Sequence, residues 1–438
     1  MRRGDRWLGI DDLAAWEQRT NRVPSLVIGA TRFAEPRGRA AVGLADVEGH
    51  VPADTGLAYR VGSITKTFTA AVVLGLVERG VLALDAPVST YLSGTTFGQV
   101  SVRMLLAHCG GVQRELPGDM WATMLGPDHE GVRAALSEAE LVAEPGQRWH
   151  YSNLGYAALG LIVGQVAGVG CAELISSRLW APLGLSSTSW TRLAASAVGY
   201  RVDPWADVVH REPDMDQAAV GVAGQSWSTV ADLLVWGNAL LGGVPEVVSP
   251  WVVDMMHTVH VMVDRERWTS AWGLGLILDR RDAFVVAGHT GAMPGFQSAL
   301  CLDRSSGAVA VVLSNATRGV AIGQLGGDVV EAIAGSPPRA VDEGWQPCEG
   351  VPAELEGVLG PWWSESDETV FTWRAGSLHA HLVSAPDAGQ TRFARIGPDS
   401  YRAVAGRWCG ERLRVGRDEQ GAVSVLEWAS YPFTRAPR

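Results

Sequence analysis

The sequence predicts an α+β fold, an antiparallel sheet flanked by helices, followed by a small all-β domain. Three observations predict it. Strand-like segments stand at both ends of a helical middle, the arrangement of a sheet covered by helices. A Pro- and Gly-rich stretch, "GSPPRAVDEGWQPCEGVP", then interrupts the chain. Beyond it, apolar and polar residues alternate between turns, as in short half-buried strands. The reading divides the chain into a larger domain at 1–340 and a smaller one at 350–438.

The elements follow in order. Asp11–Gln18 reads as a short helix. "VPSLVIGATRF" and "GRAAVGLADVE" read as two strands joined by a turn around Pro36 and Gly38. Ser63–Arg79 is apolar on nearly all sides until Glu78, which predicts a buried helix with Ser63 at its start and Gly80 as its stop. "SVRMLLAHCGGV" predicts a helix ended by Gly110 and Gly111. After a turn at Pro145-Gly146 another helix is expected from about Gly155, and "WSTVADLLVWGNALLGG" has helical spacing. "WGLGLILD", "AFVVAGHTG", "FQSALCLD" and "GAVAVVLSN" read as successive strands, and "GQLGGDVVEAIAG" as a closing helix.

Composition narrows the function. Hydrophobic residues make up 47% of 438, enough for large cores. The net charge is −11 with no basic run, which argues against a nucleic-acid partner. The N-terminus has no continuous apolar segment of a secretory signal, and no stretch is long enough for a membrane span, so a cytoplasmic protein without a membrane partner is expected. Cys109, Cys171, Cys301, Cys348 and Cys409 are scattered and odd in number, so free thiols are expected. The pairs His257/His260 and His379/His381 lack accompanying Cys or carboxylate ligands, so neither a metal nor another cofactor is expected.

One residue stands apart. Lys and Arg total 36, and 35 of these are Arg; the single lysine is Lys66, in "GSITKTF". Arginine stays protonated, whereas a lysine in a suitable pocket can lose its proton and act as a base. On a helix, Ser63 and Lys66 lie on one face, three residues apart. A helix start also offers free N–H groups and a positive dipole end, which suit an alkoxide or an oxyanion. Ser63 with Lys66 therefore has the makings of a nucleophile and its base.

Two later stretches join them: Tyr151-Ser152-Asn153 and His289-Thr290-Gly291. In this order the three motifs resemble the serine β-lactamase and penicillin-binding superfamily, with Tyr and His where the class A version has Ser-Asp-Asn and Lys-Thr-Gly. The tyrosine variant is similar to the class C branch, which includes β-lactamases, DD-peptidases, esterases and acyltransferases. The resemblance covers roughly residues 20–335 and includes "LLAHCGG" and "EPGQRWHYSNLGYAALG". It implies a β-lactamase/DD-peptidase-like sheet, with a C-terminal domain resembling the lipocalin-like domains appended to some members.

The resemblance also implies roles. Ser63 is the acylated nucleophile, and Lys66 or Tyr151 its base. A Lys66 cation is expected to lower the Tyr151 pKa. Asn153 holds Lys66 or a substrate amide, and His289 relays a proton to the leaving group. Gly291 and Ala292 belong to the substrate strand, the Ala292 N–H completing an oxyanion hole with that of Ser63. His108 reads as a structural helix-end histidine, and Trp149, Trp227 and Trp272 as pocket wall or core. The expected activity is a serine hydrolase or acyltransferase on an ester, thioester or amide. The substrate is a small molecule or a peptidyl or acyl group, carrier-bound ones included, as in natural-product peptide release, cyclisation or transfer to an amine. A plain carboxylesterase, a D-amino-acid peptidase or amidase, and a penicillin-binding-like sensor that acylates without turnover are the alternatives. Because histidine is mostly neutral at pH 7, weak or no β-lactamase activity is expected.

Overall fold

The protein is described from a computed structural model, covering residues 9–203, 206, 208–281, 284–335, 351–374, 376–385, 390–406 and 408–437. The chain forms two compact units, residues 1–338 and 339–438. Most of the Pro- and Gly-rich linker, and Cys348 within it, lie outside the described residues.

The first unit is built on a nine-stranded sheet. Its order is 51–52, 35–46, 25–32, 308–314, 296–303, 284–293, 277–281, 270–272, 261–262, every neighbour antiparallel. The N-terminal hairpin therefore pairs with a strand from the far end of the unit, Leu26 opposite Ser314 and Ile28 opposite Val312. Both central strands are buried on both faces, and their side chains alternate between two cores. Val309, Val311 and Leu313 face the larger core, and Ala308, Ala310 and Val312 the smaller. The smaller core is closed by the helices Ile10–Thr20 and Ile322–Ala334 through Ile10, Leu13, Leu325, Val329 and Val330.

The larger core holds the helices Thr65–Glu78, Asn153–Ala167 and Val230–Leu240. Thr65–Glu78 is buried on every side over its first ten residues, as its composition requires. Its threonines are all satisfied: Thr65 Oγ1 donates to Gly62 O at 2.6 Å, Thr67 Oγ1 to Ile64 O at 2.7 Å and Thr69 Oγ1 to Val222 O at 2.7 Å. Phe68 packs between Trp180 and Trp236, whose indole N–H donates to Thr67 Oγ1 at 2.8 Å. Among the described residues no single helix is long and apolar enough to cross a membrane.

Two expected elements differ. The first hairpin turns at Phe33-Ala34, not at Pro36 and Gly38, which lie within the strand. Both turn residues have positive φ, 51° and 63°, the geometry of a two-residue turn that matches strand twist. "WGLGLILD" is not one strand but the corner of a hairpin, with Trp272 paired to Ile277. Gly275, at φ 92°, bends the chain where a Cβ would stand 2.4 Å from Ala70 Cβ on the buried helix.

The second unit is an eight-stranded antiparallel sheet in sequence order, from Gly360–Ser364 to Tyr431–Phe433. Trp363 and Thr434 exchange two backbone hydrogen bonds of 2.8 Å, so the sheet nearly closes into a barrel. Trp362, Phe371, Leu378, Leu413 and Leu426 fill its centre. Free thiols are found at Cys109, Cys171, Cys301 and Cys409.

The strand Phe284–Met293 presses on the turn before the buried helix. A Cβ on Gly291 would lie 2.0 Å from Val61 O and 2.4 Å from Ser298 Oγ. Gly291→Ala is therefore expected to destabilise the first unit by ~1–3 kcal/mol, the usual range for overpacking. Urea denaturation checks this; an unchanged midpoint would mean the strand and turn are not in tight contact.

Candidate active site

The site forms where the buried helix begins. Gly62–Ile64 is one 3-10 turn and Thr65–Glu78 continues from it, so Ser63 sits ahead of the helix proper and Lys66 in its first turn. Gly62 has φ 52°, and a Cβ there would meet Ala292 N at 2.9 Å. The turn thus needs glycine both for its backbone and for the close approach of the strand. That approach brings the Ala292 amide against the turn that carries Ser63. Ala292 is exposed while Gly291 is buried, as strand alternation requires.

Lys66 is wholly buried. Its Nζ lies 2.7 Å from Asn153 Oδ1, 2.6 Å from Ala223 O and 3.1 Å from Ser63 Oγ. The first two partners accept only, so they take two N–H bonds. A neutral amine then has one lone pair left, and it faces the serine hydroxyl. Burial pushes the Lys66 pKa well down, with nearby Glu115 opposing and Arg114 reinforcing the shift. The contacts suit an amine or an ammonium, and desolvation favours the uncharged base.

Asn153 cannot turn the other way. Its Nδ2 donates to Glu115 Oε1 at 2.7 Å, and a carboxylate only accepts, so Oδ1 must face Lys66. The residue also begins a helix whose N-cap, Ser152, accepts from Gly155 N at 2.9 Å and donates to Gln113 O at 2.7 Å. Arg114 Nε stands 3.4 Å from Glu115 Oε1, and its guanidinium lies over the Tyr151 ring at 4.9 Å.

Tyr151 differs from expectation. Burial raises its pKa above that of an ordinary tyrosine, outweighing the hydrogen bond with Ser63 and the Arg114 charge. Burial thus favours the phenol form of Tyr151 beside the nucleophile, a group able to pass a proton.

His289 is buried and its pKa is pushed down to about 3, chiefly by desolvation. Its Nδ1 is 2.6 Å from Thr290 O, so Nδ1 carries the proton and Nε2 is a bare acceptor without a partner among the described residues. His108 is the opposite tautomer. Its Nδ1 accepts from Ser152 N at 3.0 Å, and its ring stacks on Tyr151 with centroids 4.3 Å apart. The structural histidine of the sequence reading thus also braces the site's tyrosine.

These groups open into a cleft of about 990 Å³. It brings together Ser63, Tyr151, Asn153, His289, Gly291 and Ala292, with Lys66 buried behind Ser63. Trp149 and Trp272 line it, whereas Trp227 is core, edge-on to Phe296. Sequence reasoning missed Arg114, Glu115 and Ala223. The first two come three and four residues after Gly111, where the Gln113 and Arg114 carbonyls accept from Ser152 Oγ and Asn153 N, and nearness to that Gly-Gly stop is a usable signal. Ala223 acts through its carbonyl and leaves no side-chain trace. Among the described residues no group of three or more metal-ligating side chains gathers.

A family model described as Beta-lactamase matches residues 10–334, and one described as a domain of unknown function (DUF7586) matches 351–435. The chain belongs to the β-lactamase family. It is 25% identical over 302 residues to the putative penicillin-binding protein PbpX of Bacillus subtilis, covering 66% of this chain and 70% of that one. Among solved structures it is similar to a D-stereospecific amidohydrolase from Streptomyces sp. (26% identity, TM-score 0.62, 72% of this chain and 98% of that one). It also resembles the octameric penicillin-binding protein homologue of Pyrococcus abyssi (21% identity, TM-score 0.66, 97% and 98%). With its site, the family makes the chain a serine hydrolase acting on an amide or ester.

Two results are expected. Lys66→Arg should fold yet lower kcat/KM by ~10²–10⁴, since a guanidinium has no lone pair to offer; undiminished turnover would remove Lys66 as the base. The rising limb of kcat/KM against pH should report Lys66 losing its proton. Glu115 raises that pKa and Arg114 lowers it, so Glu115→Gln should move the limb to lower pH and Arg114→Gln to higher pH. Shifts in one common direction would contradict the assignment.

Proposed function

We propose that the protein cleaves amides or esters of apolar acyl groups through an acyl-enzyme on Ser63, with an uncharged group leaving beside His289. The observation that carries this reading is that a buried histidine, His289, with its Nδ1 on the Thr290 carbonyl, stands where a lysine would place a permanent cation. A substrate carboxylate near that strand would find no charge there, so β-lactams are poor candidates. The apolar wall of the cleft, from Trp121, Met124, Trp149, Trp272 and Met293, suits a hydrophobic acyl side chain. Likeness to a D-stereospecific amidohydrolase supports a D-amino acyl donor.

The reaction would proceed in two stages. Ser63 attacks the carbonyl as its proton moves to Lys66, the oxyanion resting on the Ser63 and Ala292 amides. The leaving group takes that proton, by way of Tyr151. Water, or an amine in a transferase, then attacks the ester. The aromatic wall favours the second outcome to the extent that it keeps water out. Peptide release, cyclisation and carrier-bound donors belong to this branch of the proposal.

A panel of D- and L-amino acid amides, esters and thioesters, with and without added amines, tests the reading by product analysis and intact mass. We expect an adduct and turnover in the wild type, neither in Ser63→Ala, and faster reaction of D-phenylalanine amide than of a chromogenic cephalosporin. His289→Lys should narrow that gap. Rapid cephalosporin hydrolysis by the wild type would overturn the proposal, and acylation of every donor without release would favour a sensor.

A further inference from the structure

The Ala223 carbonyl that holds Lys66 ends a short 3-10 turn, Ala218–Ala223, whose shape is imposed from outside. The turn opens on Ala218 at φ 45°, a left-handed backbone that a residue with a Cβ keeps only where its surroundings fix it. Ala218, Ala219, Gly221 and Val222 border a cavity of about 270 Å³, so part of the turn has no packing behind it. One residue closes the turn at both ends. Gln225 Oε1 accepts from Gln217 N at 3.0 Å, just before the turn, and Gln225 N donates to Gly221 O at 2.8 Å, near its end. Arg60 fixes Gln225 in turn. Its Nη2 donates to the same Oε1 at 2.6 Å, and since both partners of that oxygen only donate, the amide cannot flip. Arg60 is 2% exposed, and among the described residues this is its side chain's hydrogen bond. Burial lowers the Arg60 pKa to about 10, against the opposing charges of Asp214 and Asp216, so it stays a cation at neutral pH and the bond is charge-assisted.

We infer that Gln225, anchored by Arg60, is a positioning residue for the base: it shapes the turn so that the Ala223 carbonyl stays on Lys66 Nζ. Arg60 belongs to the strand Tyr59–Arg60, which leads directly into the Gly62–Ile64 turn and Ser63. Thr69 Oγ1, on the helix of Lys66, donates to Val222 O at 2.7 Å. The carbonyl is thus referenced both to the strand before the nucleophile and to the helix of the base. A carbonyl holds an ammonium more strongly than an amine, so releasing it disfavours the charged lysine. The other charged or titratable groups facing Lys66 are Glu115, Arg114, His108, His289, Tyr151 and Tyr156. None of them lies on the turn, so a change at Gln225 leaves them in place.

The test uses the single lysine of the chain. Labelling with ε-¹³C lysine gives one lysine signal, whose pH titration in the full-length protein reads the base without any substrate. Its outcome is therefore separate from that of the substrate panel. Gln225→Met, close in size but without the acceptor, should lower the Lys66 midpoint by about half a unit to one unit. At pH 8 its Ala223 carbonyl ¹³C resonance should move upfield as the bond to Lys66 lengthens. Gln225→Glu still accepts both bonds and adds a negative charge, so its midpoint should return to the wild-type value or above. A Gln225 that only supports the fold would cost melting temperature and leave the lysine midpoint and the Ala223 resonance where they were; that result, or a rise in Gln225→Met, overturns the inference. If Gln225→Met does not fold, Gln225→Asn, one methylene too short to reach both donors, takes its place. It should shift both signals in the same directions, and unmoved signals would again overturn the inference.

Discussion

The chemistry of this protein depends on one buried amine being held by two acceptors that cannot give it a proton. Asn153 Oδ1 and Ala223 O fix two N–H bonds of Lys66 and turn its remaining valence toward Ser63. The acceptors would hold an ammonium as well as an amine. Desolvation decides between the two, because a charge in this position has lost water on every side. The only lysine of the chain is therefore where a lysine, and not an arginine, is chemically required.

The other site groups are arranged around that amine. Glu115 orients Asn153, Ser152 caps the helix that carries it, and His108 backs the Tyr151 ring. A carboxylate two bonds removed from a neutral base holds its geometry while adding only a partial electrostatic bias. Arg114 beside it offsets that bias. The result is a base tuned by an adjacent pair of opposite charges rather than by a single partner.

Much of this was legible in the sequence. Apolar residues all round Thr65–Leu74 forced a buried helix, and the three motifs named Ser63, Lys66, Tyr151, Asn153 and His289 as one cluster. The Tyr151 shift was not legible, because its sign depends on whether burial or a neighbouring charge prevails, and a sequence gives neither depth nor protonation state. The first hairpin turn was misplaced because Phe33 and Ala34 carry no turn chemistry, while Pro36 and Gly38 do. The corner within "WGLGLILD" was hidden because its two glycines serve close packing, Gly273 against the Met256 carbonyl and Gly275 against Ala70 of the buried helix, rather than a surface turn. A barrel-like form for the second unit was implied by the resemblance to appended β-barrel domains, whereas the pairing that nearly closes it, Trp363 with Thr434, spans the whole unit and leaves no local pattern.

The sheet order has a consequence for biosynthesis. The second and third strands from one edge, 35–46 and 25–32, leave the ribosome early, but their inner neighbour, 308–314, is among the last parts of the unit to emerge. Contacts so distant along the chain form late and slowly. Ala292 reaches the Gly62 turn only on a strand of this same sheet, so a nascent chain would carry its serine long before it could stabilise an oxyanion. Oxyanion stabilisation is thus withheld until the sheet strands of the first unit have emerged.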